Sequence, residues 1–205
     1  MKTKEKLKQI KYRIESLFFI IQRTLLSSFY KIKFPINKEV HCDSHVKIGR
    51  GTRIYFYNGK MHIKENTTIC NNSKFIIGGG KLEIGKNCLL GEYGIYNTFA
   101  NLIIEDDVIT ADRISFVTNI HQYHDIEIPI KDQPSTSDDI VIGRGTWIGM
   151  NATILGGTHI GKNVVIAAHS VVKGDFPDYC VCGGVPAHII RQYNIKTGKW
   201  EKPYN

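Results

Sequence analysis

With 205 residues, 42% of them hydrophobic and 22% charged, the chain can hold one substantial core and has the balance of a globular domain rather than a disordered or fibrous one. Its formal net charge of +8 is gathered at one end: residues 1–33 carry nine Lys or Arg against Glu5 and Glu15, and the remaining 18 basic and 17 acidic residues nearly cancel. A nucleic-acid reader spreads basic side chains over a folded face, so this distribution argues against nucleic acid as a partner.

The first predicted element is a basic amphipathic helix within residues 1–34. Across residues 3–30, Leu7, Ile10, Ile14, Leu17, Phe18, Ile21, Leu25 and Phe29 recur at helical spacing, and Pro35 ends the pattern. Such a stripe docks on the folded domain or on a second copy. Alternatively it lies on a membrane surface, with Lys residues against anionic lipid and Phe18, Phe19 and Phe29 inserted. No run reaches the ~18 apolar residues of a membrane-spanning helix. The apolar run Leu17–Ile21 is not followed by a small-residue cleavage site. The expectation is a cytoplasmic protein with peripheral contact at the inner membrane face through residues 1–33. The five cysteines read as free thiols in a reducing compartment, with Cys180 and Cys182 as small buried hydrophobes on one strand face.

From residue 40 a six-residue phrase governs the chain. It is ragged at first: Ile48-Gly49 leads to Ile54, Ile63 to Ile69, Ile84-Gly85 to Leu90-Gly91, and Ile104 to Thr110 and Phe116. The segments 55–62, 71–81 and 92–101 break the ladder and read as outward loops or irregular coils. From Ile142 the phrase is clean, with Ile148, Ile154, Ile160, Ile166 and Val172 following at six-residue steps. Gly143, Gly149, Gly161 or Ala167 stands just after four of these anchors, and a compact residue (Thr146, Ala152, Thr158, Val164, Ser170) stands four places on. A period of six fits neither a helix nor one alternating strand. It fits short strands joined by tight turns and stacked as a parallel β-helix, three phrases to a coil, with Ile142 beneath Ile160.

Residues 119–139 interrupt the repeat with the polar sequence NIHQYHDIEIPIKDQPSTSDD. A loop of that length inside a repeat array is uncommon unless it has a function. After Val172 the phrase gives way to a last turn, a Gly-Gly-Val-Pro bend, and a helix or strand that caps the stack. The β-helix is thus bounded at 40–193, and 194–205 reads as a polar extension.

The run IGRGTWIGMNATILGGTHIGKNVVIAAHSVV followed by GGVPAHIIR resembles the hexapeptide-repeat acyltransferases. Over about residues 46–193 the chain is most similar to their sugar and polysaccharide O-acetyltransferases, of the galactoside and maltose acetyltransferase type. The resemblance implies an all-β fold, a left-handed parallel β-helix. The left hand comes from the resemblance alone, because parallel crossovers are generally right-handed. It also implies acetyl-CoA as acyl donor, no required metal, a homotrimer with active sites between subunits, and a sugar acceptor; the placement of the basic amphipathic helix suits a lipid-linked saccharide.

By the same resemblance, His121 is the general base that removes the acceptor's proton, a task suited to imidazole. His124 is the competing base, Asp125 (or Glu127) a candidate orienter of the imidazole, and the backbone N–H of Met150 the oxyanion donor. The wall of the CoA channel maps onto Trp147, Gly149, Ala167 and Ala168, and the cofactor's phosphates onto Lys173, His188 and Arg191. Asn97 and Tyr123 are candidate substrate-binding residues. The chain departs from the family pattern at Lys173-Gly174-Asp175, where the basic residue is displaced by one position, and at His169 and His188.

Other readings compete. An amine could replace the hydroxyl as acceptor. A β-helix can also serve as a binding scaffold without catalysis. A zinc enzyme of the carbonic-anhydrase kind would need three histidines to converge from among His121, His124, His159 and His169.

Overall fold

A computed structural model describes residues 39–203. The expected N-terminal helix lies outside the described residues. Within them the protein is an all-β, parallel β-solenoid of about six turns. Its helical content is a single 3-10 turn at Ile130–Asp132.

Each coil lays one strand on each of three faces. The first face stacks Val40–Cys42, Lys60–Ile63, Lys81–Ile84, Leu102–Ile104 and Ile140–Ile142 in parallel register, and ends on Thr158–Ile160 and Gly174–Phe176. The second carries Lys47–Ile48, Thr68–Ile69, Leu89–Leu90, Ile109–Thr110, Trp147–Ile148, Val165–Ile166 and Cys180–Gly184. The third carries Arg53–Phe56, Lys74–Ile77, Ile95–Thr98, Ser115–Val117 and the start of Thr153–Ile160, which bends around a corner to join the first face.

The core is a set of axial rows. Ile63, Ile84, Ile104, Ile142 and Ile160 stack in order, so Ile142 lies against Ile160 as the 18-residue coil requires. All five are buried. Side chains alternate across each strand, so every inward residue sits on its counterpart one coil away and the apolar area is buried in a continuous column. At the corners, Asn66, Asn72, Asn87, Asn151 and Asn163 hold φ between 50° and 61°, where Asn is tolerated better than most side chains. Corner hydroxyls close the remaining backbone gaps: Thr67 Oγ1 donates to Gly85 O at 2.7 Å and accepts the Cys88 N–H at 3.0 Å.

One expectation is corrected. The segments read as loops or irregular coils contain regular four-residue strands, with Tyr55, Ile76, Asn97 and Val117 in direct register. Between Ile54 and Ile154 the inward markers of this face are Phe75, Tyr96 and Phe116 rather than aliphatic residues. Their rings stack along the axis at 4.4 and 5.3 Å between centroids. The corners that follow these strands, at 57–59, 78–80 and 99–101, are loops.

At the far end the chain reverses. Ala187–Asn194 pairs antiparallel with Cys180–Gly184, so the cap is a strand, and Lys199–Glu201 adds a further antiparallel strand. All five cysteines are free thiols.

Candidate active site

The 119–139 insertion is an ordered hairpin. Asn119–His121 pairs antiparallel with Ser135–Ser137, placing His121 opposite Ser135. Thr118 anchors its base: Oγ1 accepts the N–H groups of Phe99 (2.7 Å) and Ala100 (3.2 Å), while its carbonyl accepts the Asp138 N–H at 2.9 Å. A second anchor is Asn97, whose Nδ2 donates to Asn119 Oδ1 at 2.9 Å. Asn97 Oδ1 is buried and has no hydrogen-bond partner.

The tip is organised by Gln133, a residue that sequence reasoning passed over. Its amide donates to Asp125 O at 2.7 Å and Ile128 O at 2.8 Å, and accepts the Asp125 N–H at 3.3 Å. A buried Gln among exposed loop residues has no sequence signal beyond its type. Asp125, expected to orient an imidazole, uses Oδ1 to accept the Glu127 N–H at 2.9 Å, so its carboxylate shapes the loop. Tyr123 and His124 lie side by side, ring centroids 5.0 Å apart, and both are exposed, as is His121.

The proposed cofactor wall is on the second face. Trp147 projects outward, 52% exposed, between Ile109 and Val165 in the adjacent coils. The row continues through Val181 to Arg191. Three inter-strand steps of ~4.8 Å therefore separate Trp147 from Arg191, roughly 14 Å along one edge. Gly149 and Ala167 form the parallel row beside it, which reaches Gly183 and then His188. Gly149 is required by coil packing as well, since a Cβ there would fall 2.5 Å from Ala168 N. Lys173 is exposed on the neighbouring sheet and does not share this edge. The structure thus brings Trp147, Gly149, Ala167, His188 and Arg191 together and leaves Lys173 apart.

Met150 occupies the corner between the second and third faces, ahead of Asn151 at φ 59°. At equivalent corners the N–H of Arg50 is taken by Asn71 Oδ1 (2.9 Å) and that of Glu92 by Asp112 Oδ1 (2.8 Å), each from the residue stacked one coil on. Stacked on Met150 is Ala168, whose methyl group accepts nothing. Among the described residues the Met150 N–H has no acceptor, and Met150 is exposed. Within one chain this donor and His121 lie at different corners. The third face runs between them, a four-residue strand or ~13 Å.

Burial pushes the Cys42 and Cys88 thiols up to about 11, and hydrogen bonding from Cys180 together with burial pushes the Cys182 thiol up as well. These are not poised nucleophiles. His159 Nδ1 pairs with Asp175 Oδ1 at 2.9 Å, and His169 Nε2 faces Asn151 Nδ2 at 3.3 Å, on separate elements from His121 and His124. No helix among the described residues is long and apolar enough to cross a membrane.

Comparison with known proteins adds the lineage. The family model "Bacterial transferase hexapeptide (six repeats)" matches residues 139–174. A Mycobacterium tuberculosis protein named as a candidate acetyltransferase, Rv3034c, is 34% identical over 141 residues, covering 69% of this chain and 44% of that protein. The chain thus spans under half the length of that relative. WbbJ of Escherichia coli K12, named as a candidate lipopolysaccharide biosynthesis O-acetyl transferase, is 34% identical over 155 residues, 71% of this chain and 78% of WbbJ. Among solved structures, AntD, an N-acyltransferase from Bacillus cereus in complex with dTDP and 3-hydroxybutyryl-CoA, shares the fold at TM-score 0.62 and 22% identity, covering 77% of this chain and 85% of AntD. From the repeat, the solenoid it builds and the extent of the match to WbbJ, the chain belongs to the hexapeptide-repeat acyltransferase family.

Proposed function

We propose that the protein transfers an acetyl group from acetyl-CoA to a sugar hydroxyl during assembly of a cell-surface polysaccharide. The observation that carries this reading is the unpartnered Met150 N–H, at a corner where the coil stack supplies Ala168 instead of an acceptor side chain. A preorganised, free backbone donor on a rigid wall is what a developing oxyanion needs. WbbJ, whose name assigns it O-acetyl transfer in lipopolysaccharide biosynthesis, supports the acceptor class.

In this mechanism acetyl-CoA supplies an activated acyl carbon. His121 accepts the proton of the acceptor hydroxyl as its oxygen bonds to that carbon, and the Met150 N–H receives the charge gathering on the carbonyl oxygen. His121 then returns the proton to the departing thiolate, leaving acetylated sugar and CoA. The edge from Trp147 to Arg191 holds the pantetheine arm against Gly149, Ala167 and Ala168, and Arg191 and His188 meet the phosphates. Lys173, off that edge, contributes by long-range charge.

Because ~13 Å of the third face separates His121 from Met150 in one chain, the reading joins His121 of one subunit to the Trp147–Met150 wall of another in a homotrimer of left-handed coils. Asn97 and Tyr123 face the acceptor. The basic segment 1–33 brings the enzyme to a lipid-linked acceptor at the inner membrane face. Flotation with anionic liposomes should therefore require residues 1–33, and equal flotation without them contradicts that part.

The test is acetyl-CoA turnover against a panel of nucleotide sugars, lipid-linked oligosaccharides and amino sugars, with the acetylated product identified by mass spectrometry. The reading expects an O-acetylated saccharide. Turnover on amino sugars alone assigns an amine acceptor, and turnover on none, with CoA still bound, contradicts catalysis on saccharides.

A further inference from the structure

The first coil carries a cluster that the acyl-transfer reading does not use. Val40–Cys42 and Lys60–Ile63 are paired in parallel with His41 opposite His62. Strand alternation turns the flanking residues inward and both imidazoles outward. The rings lie 4.9 Å apart at 60°. Asp43, next after the first strand, is fixed by its own N–H, which donates to Ile63 O at 2.9 Å. Its Oδ1 accepts from His62 Nε2 at 2.8 Å and from His41 Nε2 at 3.0 Å.

We propose that His41, Asp43 and His62 form a binding site for a first-row divalent transition-metal ion, with zinc the best match, that clamps the first coil of the solenoid. Two imidazoles present the same nitrogen to one carboxylate oxygen, and all three donor atoms lie within 4.8 Å of one another. Imidazole and carboxylate are the donor set of zinc and its neighbours rather than of magnesium or calcium. Bonds of ~2.0–2.2 Å in a tetrahedron place ligand atoms roughly 3.3–3.5 Å apart. Each Nε2 now lies 2.8–3.0 Å from Asp43 Oδ1 and reaches that spacing from the carboxylate by moving apart by roughly half an ångström. Binding transfers each Nε2 lone pair to the metal. The protons now on Nε2 move to Nδ1 or leave to solvent, so uptake releases protons at low pH. Water completes the coordination shell.

The neighbours fit this assignment. Glu83 is the next outward residue in the same row, but Lys64 and Lys81 both hold its carboxylate, so it is not counted as a ligand. The position also gives the metal a use. Among the described residues Val40–Cys42 is the last strand of its sheet, paired on one side only. An end coil of a repeat stack is its least supported part, and a ligand that bridges two strands there opposes fraying. The cluster lies at the opposite end of the solenoid from the Trp147–Arg191 edge, so the proposal stands independently of the acyl-transfer reading.

The full chain, stripped with a chelator, is titrated with zinc chloride by calorimetry, with magnesium chloride as control. One zinc per chain is expected, and no competition from magnesium. The chain has eight histidines, so stoichiometry alone does not locate the site. His41→Gln, at a side chain 68% exposed and therefore harmless to folding, should weaken zinc binding roughly tenfold or more. His41→Gln with His62→Gln should abolish that binding and the zinc-dependent rise in Tm, while circular dichroism remains that of the parent. Zinc affinity unchanged by His41→Gln, or a parent chain that takes up no zinc, overturns the proposal.

Discussion

Asn97 and Asn119 are joined by a 2.9 Å hydrogen bond, from Nδ2 of the one to Oδ1 of the other. The bond ties the third face of the solenoid to the first residue of the strand that carries His121. A rigid repeat surface thereby fixes a residue on an insertion, the arrangement that precise catalytic placement requires. Asn119→Ala leaves the part-buried Asn97 amide with neither partner. The expected result is a loss of about 1 kcal/mol in denaturant unfolding and a roughly tenfold fall in kcat with unchanged KM for acetyl-CoA. An unaltered kcat would show that the hairpin is positioned by Thr118 and Gln133 alone.

Gly149 is needed where two coils approach closely. Gly149→Ala places a Cβ at 2.5 Å from Ala168 N, and the other near atoms, Ile166 O and Ala167 C, are also backbone, which leaves no flexible group to yield. The urea midpoint should fall by the equivalent of ~1–3 kcal/mol. Acetyl transfer should slow too, because the displaced corner carries the Met150 N–H that meets the developing oxyanion. A variant as stable as the parent would mean that the coils slide apart at little cost.

Acid should weaken the fold through carboxylates held in their charged form. Hydrogen bonds from Lys64 and then Lys81 hold the Glu83 carboxyl below its usual range, and those from Asn87 and Arg144 do the same for Asp107. A depressed folded pKa contributes stability that is complete above the unfolded value, about 4, and is lost as pH falls through the folded one. The urea midpoint should stay level from pH ~7 to ~5 and decline below ~4. Glu83→Gln, which removes the more buried of these carboxylates, should shallow the decline. A midpoint as acid-sensitive in that variant as in the parent would assign the effect elsewhere.

Much of the fold could be read from the sequence because its period is physical. The six-residue return of an inward aliphatic residue is the coil itself, which is why Ile142 meets Ile160. The middle of the third face hid because Phe75 and Tyr96 replace the aliphatic marker with stacked rings. The loop that carries His121 stands out because the repeat stops there, while the choice of His121 over His124 comes from the resemblance. The Met150 N–H is named by the resemblance, but that it stands open depends on what stacks one coil away: Ala168 and no acceptor. The His41–Asp43–His62 cluster escaped for a similar reason. Its halves are 21 residues apart, and only the register of one ragged coil on the next brings them together. Gln133 gave no signal at all, because its hydrogen bonds run to backbone within a loop that has no period.

The central claim is that His121 moves the proton in acetyl transfer. It is tested most directly by single-turnover acetyl transfer from saturating acetyl-CoA in His121→Ala and His124→Ala, with CoA binding measured alongside. Both side chains are exposed, so neither change should disturb the fold. The account predicts that His121→Ala loses roughly 100-fold or more of the chemical step while binding CoA as the parent does, and that His124→Ala retains most of it. A dead His124→Ala beside an active His121→Ala would contradict the claim and move the base three residues along the hairpin.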